Sequence, residues 1–124
     1  MCELRPEDIV ERLRHTIRYG KPGKDYTVVP REKNKKFREE YLIDDKKVDE
    51  ILLSLSESDY FGSEESVNEK HGEDTVHIFE KTVSLIPRYY EKIERKNVRL
   101  YIKFTWSEYE NKMLIIISLH ESDI

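Results

Sequence analysis

The fold of this chain is decided by its stretch from Val98 to Glu121, which reads VRLYIKFTWSEYENKMLIIISLHE. The first part of this stretch alternates apolar and polar residues, a period of two that is typical of a strand buried on one face. One face would carry Leu100, Ile102, Phe104 and Trp106. The other face would carry Arg99, Tyr101, Lys103 and Thr105. The pattern predicts a strand with one face in the core and one polar face.

A second strand is predicted after the polar segment 107–112, which reverses the chain. Alternation in this strand would place on one face Met113, Ile115, Ile117 and Leu119, and on the other Leu114, Ile116, Ser118 and His120. If both strands turn their apolar faces to one core, Ser118 and His120 fall on the polar side of the first strand. The hairpin therefore predicts an imidazole, a phenol and two cations on one open sheet face.

The N-terminal half of the sequence predicts helices. Pro6 suits the first turn of a helix, and apolar residues at helical spacing continue until Gly20. A short extended piece is predicted at 26–29 and a short helix around Phe37 and Tyr41. Asp44 or Asp45 would cap a further helix, whose apolar face consists of Val48, Ile51, Leu52 and Leu55.

The middle of the sequence leads from the helices into the strands. Ser56 and Asp59 have the spacing of a capping box, Gly62 is predicted to break the run, and residues 64–74 are predicted to form an acidic loop. Residues 75–86 read as a strand with Val76, Ile78 and Glu80 on one side and His77, Phe79 and Lys81 on the other. Helices followed by strands predict one α+β domain over residues 1–124. In it, N-terminal helices pack on a small, mainly antiparallel sheet of three or more strands.

Composition limits the classes of protein that the chain can belong to. Charged residues make up 39% and apolar residues 37%, which is typical of a compact domain with a solvated exterior. No apolar run has the length of a membrane span or the position of a signal peptide. The single cysteine, Cys2, predicts a reducing cytoplasm. The histidines lack the spacing of a metal site and the glycines lack that of a phosphate loop, so no metal, cofactor or small-molecule ligand is expected.

The charges are segregated along the sequence, although the net charge is only −4. Residues 18–38 hold eight Lys and Arg against two Asp and Glu, and residues 81–103 hold seven against two. Residues 57–74 hold seven acids against one lysine. Each run can be an ordinary solvated face, but two basic runs in one small domain favour a shared basic patch.

The polar face of the hairpin carries the groups that cleave RNA without a metal. The reaction needs a base for the 2′-hydroxyl, an acid for the leaving 5′-oxygen, and cations beside the phosphate. A histidine such as His120 can transfer protons near neutral pH, and Tyr101 can donate a proton or stack on a base. Lys103 and Arg99 can hold the phosphate. The alternative is that the tyrosine serves strand propensity and that the histidine is simply exposed.

Two parts of the sequence stand out together: ILLSLSESDYFGS, with a strand to follow, and VRLYIKFT with KMLIIISLHE. They resemble the MqsR family of toxins, which are small RelE-like ribonucleases of toxin–antitoxin systems. In that family a helix leads into an LSESDFYKS-like turn, a strand carries a glutamine, and a VYLKIT-like strand pairs with a final LIVSFKE-like strand. The resemblance covers residues from the third predicted helix to the C-terminal strand and implies a RelE-like fold.

The resemblance implies catalytic roles at four positions. The family's tyrosine and the lysine two residues later fall on Tyr101 and Lys103. Its C-terminal lysine falls on His120, and its strand glutamine falls on Glu80. The lysine that follows the paired aromatic residues is replaced here by Gly62.

Further cations would contact the nucleic acid. The missing charge at Gly62 could come from Lys70, His77 or Lys81. The residues expected to bind the RNA backbone are Arg99, Lys81, Lys70, Arg88 and Lys96, with Arg95 in the lengthened approach to the hairpin.

The function implied by the resemblance is that of an mRNA interferase. Such an endoribonuclease cleaves mRNA through 2′-hydroxyl attack without a metal, works in the cytoplasm, and is neutralised by a cognate antitoxin protein. One alternative is a non-catalytic RNA- or protein-binding module that keeps the toxin fold. Another is an interaction domain that pairs an exposed strand edge with a partner.

Overall fold

Three helices precede most of the sheet in a computed structural model that describes residues 5–68, 72–88, 95–107 and 113–122. The helices are α1 (Pro6–Tyr19), α2 (Glu32–Glu40) and α3 (Asp45–Leu53), and a 3₁₀ turn follows at Glu57–Asp59. The strands are β1 (Tyr26–Val28), β2 (Tyr60–Asn68), β3 (Gly72–Leu85), β4 (Lys96–Trp106) and β5 (Leu114–Glu121). The predicted α+β class is confirmed. Within the described ranges, no helix is both long and apolar enough to cross a membrane.

The described strands form one sheet in the order β1-β5-β4-β3-β2. β1 pairs with β5 in parallel, and the other neighbours are antiparallel. The sheet is therefore mainly antiparallel, as predicted. It contains the three predicted strands, and the extended piece predicted at 26–29 forms β1 at one edge. β2 at the other edge was not predicted.

The helix ends follow local sequence signals. Pro6 occupies the first turn of α1, and the Gly20 N–H donates to the Thr16 carbonyl oxygen at 2.8 Å where the helix ends. Asp44 caps α3 by accepting a hydrogen bond from the Lys47 N–H at 2.8 Å. The capping box predicted at residues 56–59 is present in the 3₁₀ turn. These interactions set where α1 ends and where α3 and the 3₁₀ turn begin.

The core lies between the helices and one face of the sheet. The helices contribute Ile9, Leu13 and Leu52, and Leu55 follows from the segment just after α3. The strands contribute Phe79, Leu100, Ile102, Phe104, Leu114, Ile116 and Leu119. All of these side chains are at most 1% exposed, and burial of each stabilises the domain by about 1.5–3 kcal/mol relative to exposure. The predicted alternation of β4 is confirmed, since its apolar face is the core face.

The predicted phase of β5 is wrong for the first half of the strand. Leu114 and Ile116 face the core together with Leu119, although simple alternation would put Leu119 on the opposite side. A bulge causes the difference: Lys103 pairs with Ser118 but Phe104 pairs with Ile116, so Ile117 is an extra residue in β5. The strand changes phase there, which keeps Ser118 and His120 on the face opposite to the core.

The prediction that Gly62 ends a segment is wrong, and so is the prediction of an acidic loop for the described part of 64–74. β2 and β3 pair across this region from Tyr60 opposite Phe79 to Asn68 opposite Gly72, with a register shift between Tyr60 and Gly62. The glycine lies beside an irregularity within a strand. An exposed charge such as Glu64 suits the edge strand β2, because charges on an edge strand discourage pairing with other chains.

Candidate active site

A row of three polar side chains crosses the sheet on the face away from the core. Glu80 of β3 lies opposite Tyr101 of β4, and Tyr101 lies opposite His120 of β5. The Tyr101 and His120 rings are stacked, with centroids 5.7 Å apart and an interplanar angle of 26°. Both side chains are half-buried. The predicted meeting of phenol and imidazole on one open face is thus observed.

The orientation of His120 leaves one ring nitrogen for chemistry. Its Nδ1 lies 2.9 Å from the Glu121 carbonyl oxygen. Because a carbonyl oxygen can only accept, the proton of a neutral imidazole lies on Nδ1. Nε2 then carries the lone pair and can accept a proton.

Lys103 lies in the next row of the same face, opposite Ser118. Its ammonium forms an ion pair with Glu64 of β2, and the Lys103 side chain is 23% exposed. The predicted cation is therefore beside the ring pair, but a carboxylate offsets part of its charge.

Arg99 and Glu80 form an ion pair at the other end of the site. Arg99 Nη2 lies 2.8 Å from Glu80 Oε2, and the Ser122 hydroxyl donates to Glu80 Oε1 at 3.3 Å. The Glu80 side chain is only 6% exposed, whereas that of Arg99 is 57% exposed. Glu80 is thus held in place under Arg99, and the guanidinium is the member of the pair that solvent can reach.

The N-terminal turn of α2 forms one wall of a groove over these residues. The groove has a volume of about 470 Å³, and its lining includes Arg31 and Lys33 together with Tyr101, Lys103, Ser118 and His120. Arg31 Nη1 donates to the Ser118 hydroxyl at 3.5 Å. The two basic runs of the sequence therefore meet here, as the shared-patch prediction required. The individual residues Arg31 and Lys33 were not predicted, because only their membership of a basic run was visible in the sequence.

Asn34 positions the end of β5 that carries His120. Its side chain is 2% exposed and lies beside β5 beyond the end of β1. Asn34 Nδ2 donates to the carbonyl oxygens of Val29 and Ile117, and its Oδ1 accepts from the Leu119 N–H, each at 2.9 Å. At the bulge, the side-chain amide of Asn34 thus makes the backbone hydrogen bonds that a neighbouring strand would otherwise make. Sequence reasoning missed it, since an asparagine in a polar run carries no sign of burial.

Two residues proposed to replace the missing cation do not reach this face. Lys81 points to the helix-covered side, where its Nζ donates to the Ser54 carbonyl oxygen at 2.7 Å and lies 3.5 Å from Asp59. His77 is 5% exposed and packs against Phe104. Burial, and secondarily the charge of Arg12, lowers the pKa of His77 to about 4, so the ring is neutral near pH 7. Neither residue supplies a charge beside Tyr101.

Other predicted contacts lie away from the ring pair or outside the described residues. Lys96 pairs with Leu85 at the end of β4 remote from Lys103. The Arg88 N–H donates to the Glu40 carbonyl oxygen beyond the end of β3, and Arg95 Nη1 lies 3.5 Å from the Ser84 carbonyl oxygen. Lys70 lies outside the described residues. Of the predicted backbone contacts that lie in the described ranges, only Arg99 joins the catalytic candidates.

Comparison with known proteins adds no relative. A scan against protein-family models found no matching family, and searches of curated proteins and of solved structures found no significant match.

Proposed function

We propose that this chain is an endoribonuclease toxin of the MqsR type with a RelE-like fold. It would cleave mRNA in the cytoplasm and be neutralised by a cognate antitoxin protein. The observation that carries the proposal is the stacked Tyr101–His120 pair on an open sheet face, with Lys103 and Arg99 beside it. Two groups able to transfer protons and two cations are what metal-independent RNA cleavage requires.

In the proposed reaction, His120 Nε2 takes the proton of the 2′-hydroxyl. The 2′-oxygen then attacks the adjacent phosphorus and the bond from phosphorus to the 5′-oxygen breaks, leaving a 2′,3′-cyclic phosphate. The Tyr101 hydroxyl donates its proton to the departing 5′-oxygen, which becomes a 5′-hydroxyl, and the proton on His120 then returns to the Tyr101 oxygen, directly or through water, so that both groups are restored. Holding both groups in register on paired strands supplies the orientation that the reaction needs.

The remaining candidates stabilise charge or position other groups. Lys103 and Arg99 are the proposed cations for the phosphate, whose negative charge increases in the transition state. Glu80 was expected to be catalytic. Its largely buried carboxylate, held by Arg99 and Ser122, favours a positioning role for that guanidinium instead.

Cleavage of a labelled single-stranded RNA, with EDTA present, tests the proposal. Tyr101→Phe removes only the hydroxyl and His120→Gln removes the imidazole, so each should slow cleavage by about 10²–10⁴-fold. End-group analysis of the fragments should give 2′,3′-cyclic phosphate and 5′-hydroxyl termini.

The chain provides a control in a second pair of histidine and tyrosine rings, which are tilted by 50° relative to each other. His15 and Tyr19 lie on α1 with ring centroids 4.9 Å apart, and Tyr19 is 76% exposed. His15→Gln and Tyr19→Phe should leave cleavage unchanged. Full activity in both Tyr101→Phe and His120→Gln would remove these residues from the mechanism.

A second candidate function is a non-catalytic module that binds RNA. It is favoured by the ion pairs of Lys103 with Glu64 and of Arg99 with Glu80, which offset the two proposed catalytic cations. It is also favoured by Gly62, which stands where the resembled family has a lysine. Salt-sensitive RNA binding without any cleavage product would identify this function.

A further inference from the structure

Arg31 differs from the other cations around the groove in its partners. Its guanidinium lies at the N-terminal end of α2 and its residue is exposed. Its side-chain hydrogen bond goes to the neutral hydroxyl of Ser118, at 3.5 Å. Among the side chains that the structure describes, no carboxylate forms an ion pair with Arg31.

Lys103 and Arg99 differ from Arg31 because each of them already forms an ion pair with a carboxylate. An anion that binds Lys103 competes with Glu64, and one that binds Arg99 competes with Glu80. Among the described side chains Arg31 has no ion pair that an anion must displace, although Glu32 also lines the groove. A guanidinium also binds a phosphate through two parallel hydrogen bonds.

The position of Arg31 relates it to the ring pair. Ser118, which Arg31 contacts, lies opposite Lys103 in the row next to Tyr101 and His120. An anion on Arg31 therefore lies in the same groove as these rings, which border it from the β4–β5 side. Lys33 lines the same wall.

We infer that Arg31 is the main phosphate-binding residue for single-stranded RNA in this groove, holding the backbone next to the stacked rings of Tyr101 and His120. The identification of the ligand as RNA rests on the proposed function. A single strand is favoured because the half-buried rings of Tyr101 and His120 can stack only on a base that has left a duplex. Arg31 thereby takes the role for which the sequence offered Lys70, His77 or Lys81.

Binding without cleavage isolates this role. The probe is a fluorescent single-stranded RNA of mixed sequence with every 2′-hydroxyl methylated, so that it cannot be cut. Its Kd is measured by anisotropy from about 50 to 200 mM salt for the full chain and for Arg31→Gln. Arg31→Gln should weaken binding about tenfold at the lower salt. The slope of log K against log salt should become about 0.7 less steep, as expected for the loss of one phosphate contact.

Two further variants make the result specific. Arg31→Lys keeps the charge and should restore the slope while recovering only part of the affinity. Arg18→Gln removes an exposed arginine of the same basic run, which lies in α1 and lines a pocket other than the groove, and should change neither quantity. Thermal unfolding of each variant shows whether it is folded.

The outcomes separate this inference from the proposed function. If Arg31→Gln leaves Kd and slope unchanged while the full chain cleaves unmodified RNA, the inference fails and the proposed function stands. If the slope depends on Arg31 but unmodified RNA is not cleaved, the inference stands and the catalytic proposal fails. Equal affinity for a duplex of the same length, or binding of an acidic protein but not RNA, would overturn the single-strand assignment.

Discussion

Replacing Asn34 by alanine is expected to destabilise the domain by about 3 kcal/mol. The substitution removes three hydrogen bonds from a side chain that is 2% exposed. A typical hydrogen bond contributes about 1 kcal/mol net, and a buried group left without a partner costs about 1–3 kcal/mol. The Leu119 N–H and the Ile117 carbonyl group are left in this state, although water entering the cavity offsets part of the loss.

The magnitude is large compared with the stability of an ordinary domain, about 5–15 kcal/mol. With an m-value of about 1–3 kcal/mol per molar urea, the unfolding midpoint should fall by roughly 1–3 M urea. Hydrogen exchange at the Leu119 amide should accelerate as well, because its acceptor is gone. Cleavage should fall in the folded variant, since residue 120 follows directly after the released segment.

The control is Asn97→Ala, at an exposed asparagine of β4, which should change stability by no more than about 0.5 kcal/mol. A loss in Asn34→Ala below about 1 kcal/mol, with unchanged exchange at Leu119, would show that the side-chain amide does not act as a replacement strand.

Three further predictions concern His77, Glu64 and Gly62. Burial, and then Arg12, lowers the pKa of His77 from 6.5 to about 4, so the unfolded chain binds a proton that the folded chain does not. The contribution to stability is complete above about pH 6.5 and is lost as the pH falls towards 4, by about 3 kcal/mol in total. Urea titrations between about pH 7 and pH 4.5 should show this slope, and His77→Phe should flatten it; an equal slope in both proteins would contradict the assignment. Glu64→Gln should free Lys103 and tighten RNA binding by roughly two- to fivefold, as measured by anisotropy, because a half-exposed ion pair contributes about 0.2–1 kcal/mol. Unchanged affinity would mean that Lys103 does not contact the RNA. Gly62→Lys should raise cleavage without lowering Tm, because a Cβ at Gly62 meets no atom within 4 Å. A lower Tm with unchanged cleavage would argue against this position as a phosphate contact.

The sequence predicts the parts of the fold in which each residue clearly belongs either to the core or to the solvent-facing side. β4 alternates polar and apolar residues, so each of its residues could be assigned to the core face or to the opposite face. β5 contains four consecutive apolar residues at 114–117, and alternation cannot decide between its two faces there. The bulge at Ile117 follows from pairing with β4 and β1, which no local pattern encodes. The face that carries His120 was predicted correctly because Ser118 and His120 are polar and follow the apolar run, so their side of the sheet could be assigned.

The site was predictable where its residues come from neighbouring strands. Tyr101, Lys103 and His120 belong to one hairpin, so strand parity placed them together. Arg31 caps α2 and Asn34 lies within it, and both contact β5. These contacts join residues more than 80 positions apart in the chain, so they depend on how α2 packs on the edge of the sheet. Such long-range contacts follow from tertiary packing, on which single-residue patterns carry little information.

The extra residue of β5 also limits which length changes the hairpin can accept. A chain that lacked Ile117 would pair residue for residue with β4 and would still turn its final imidazole towards the groove, at the cost of one bond from Asn34. Loss of one residue between Ser118 and His120 would instead turn the imidazole into the helix-covered layer. In related sequences, a one-residue deletion in this strand should therefore leave the site intact if it falls before position 118, and should disrupt the site if it falls after that position.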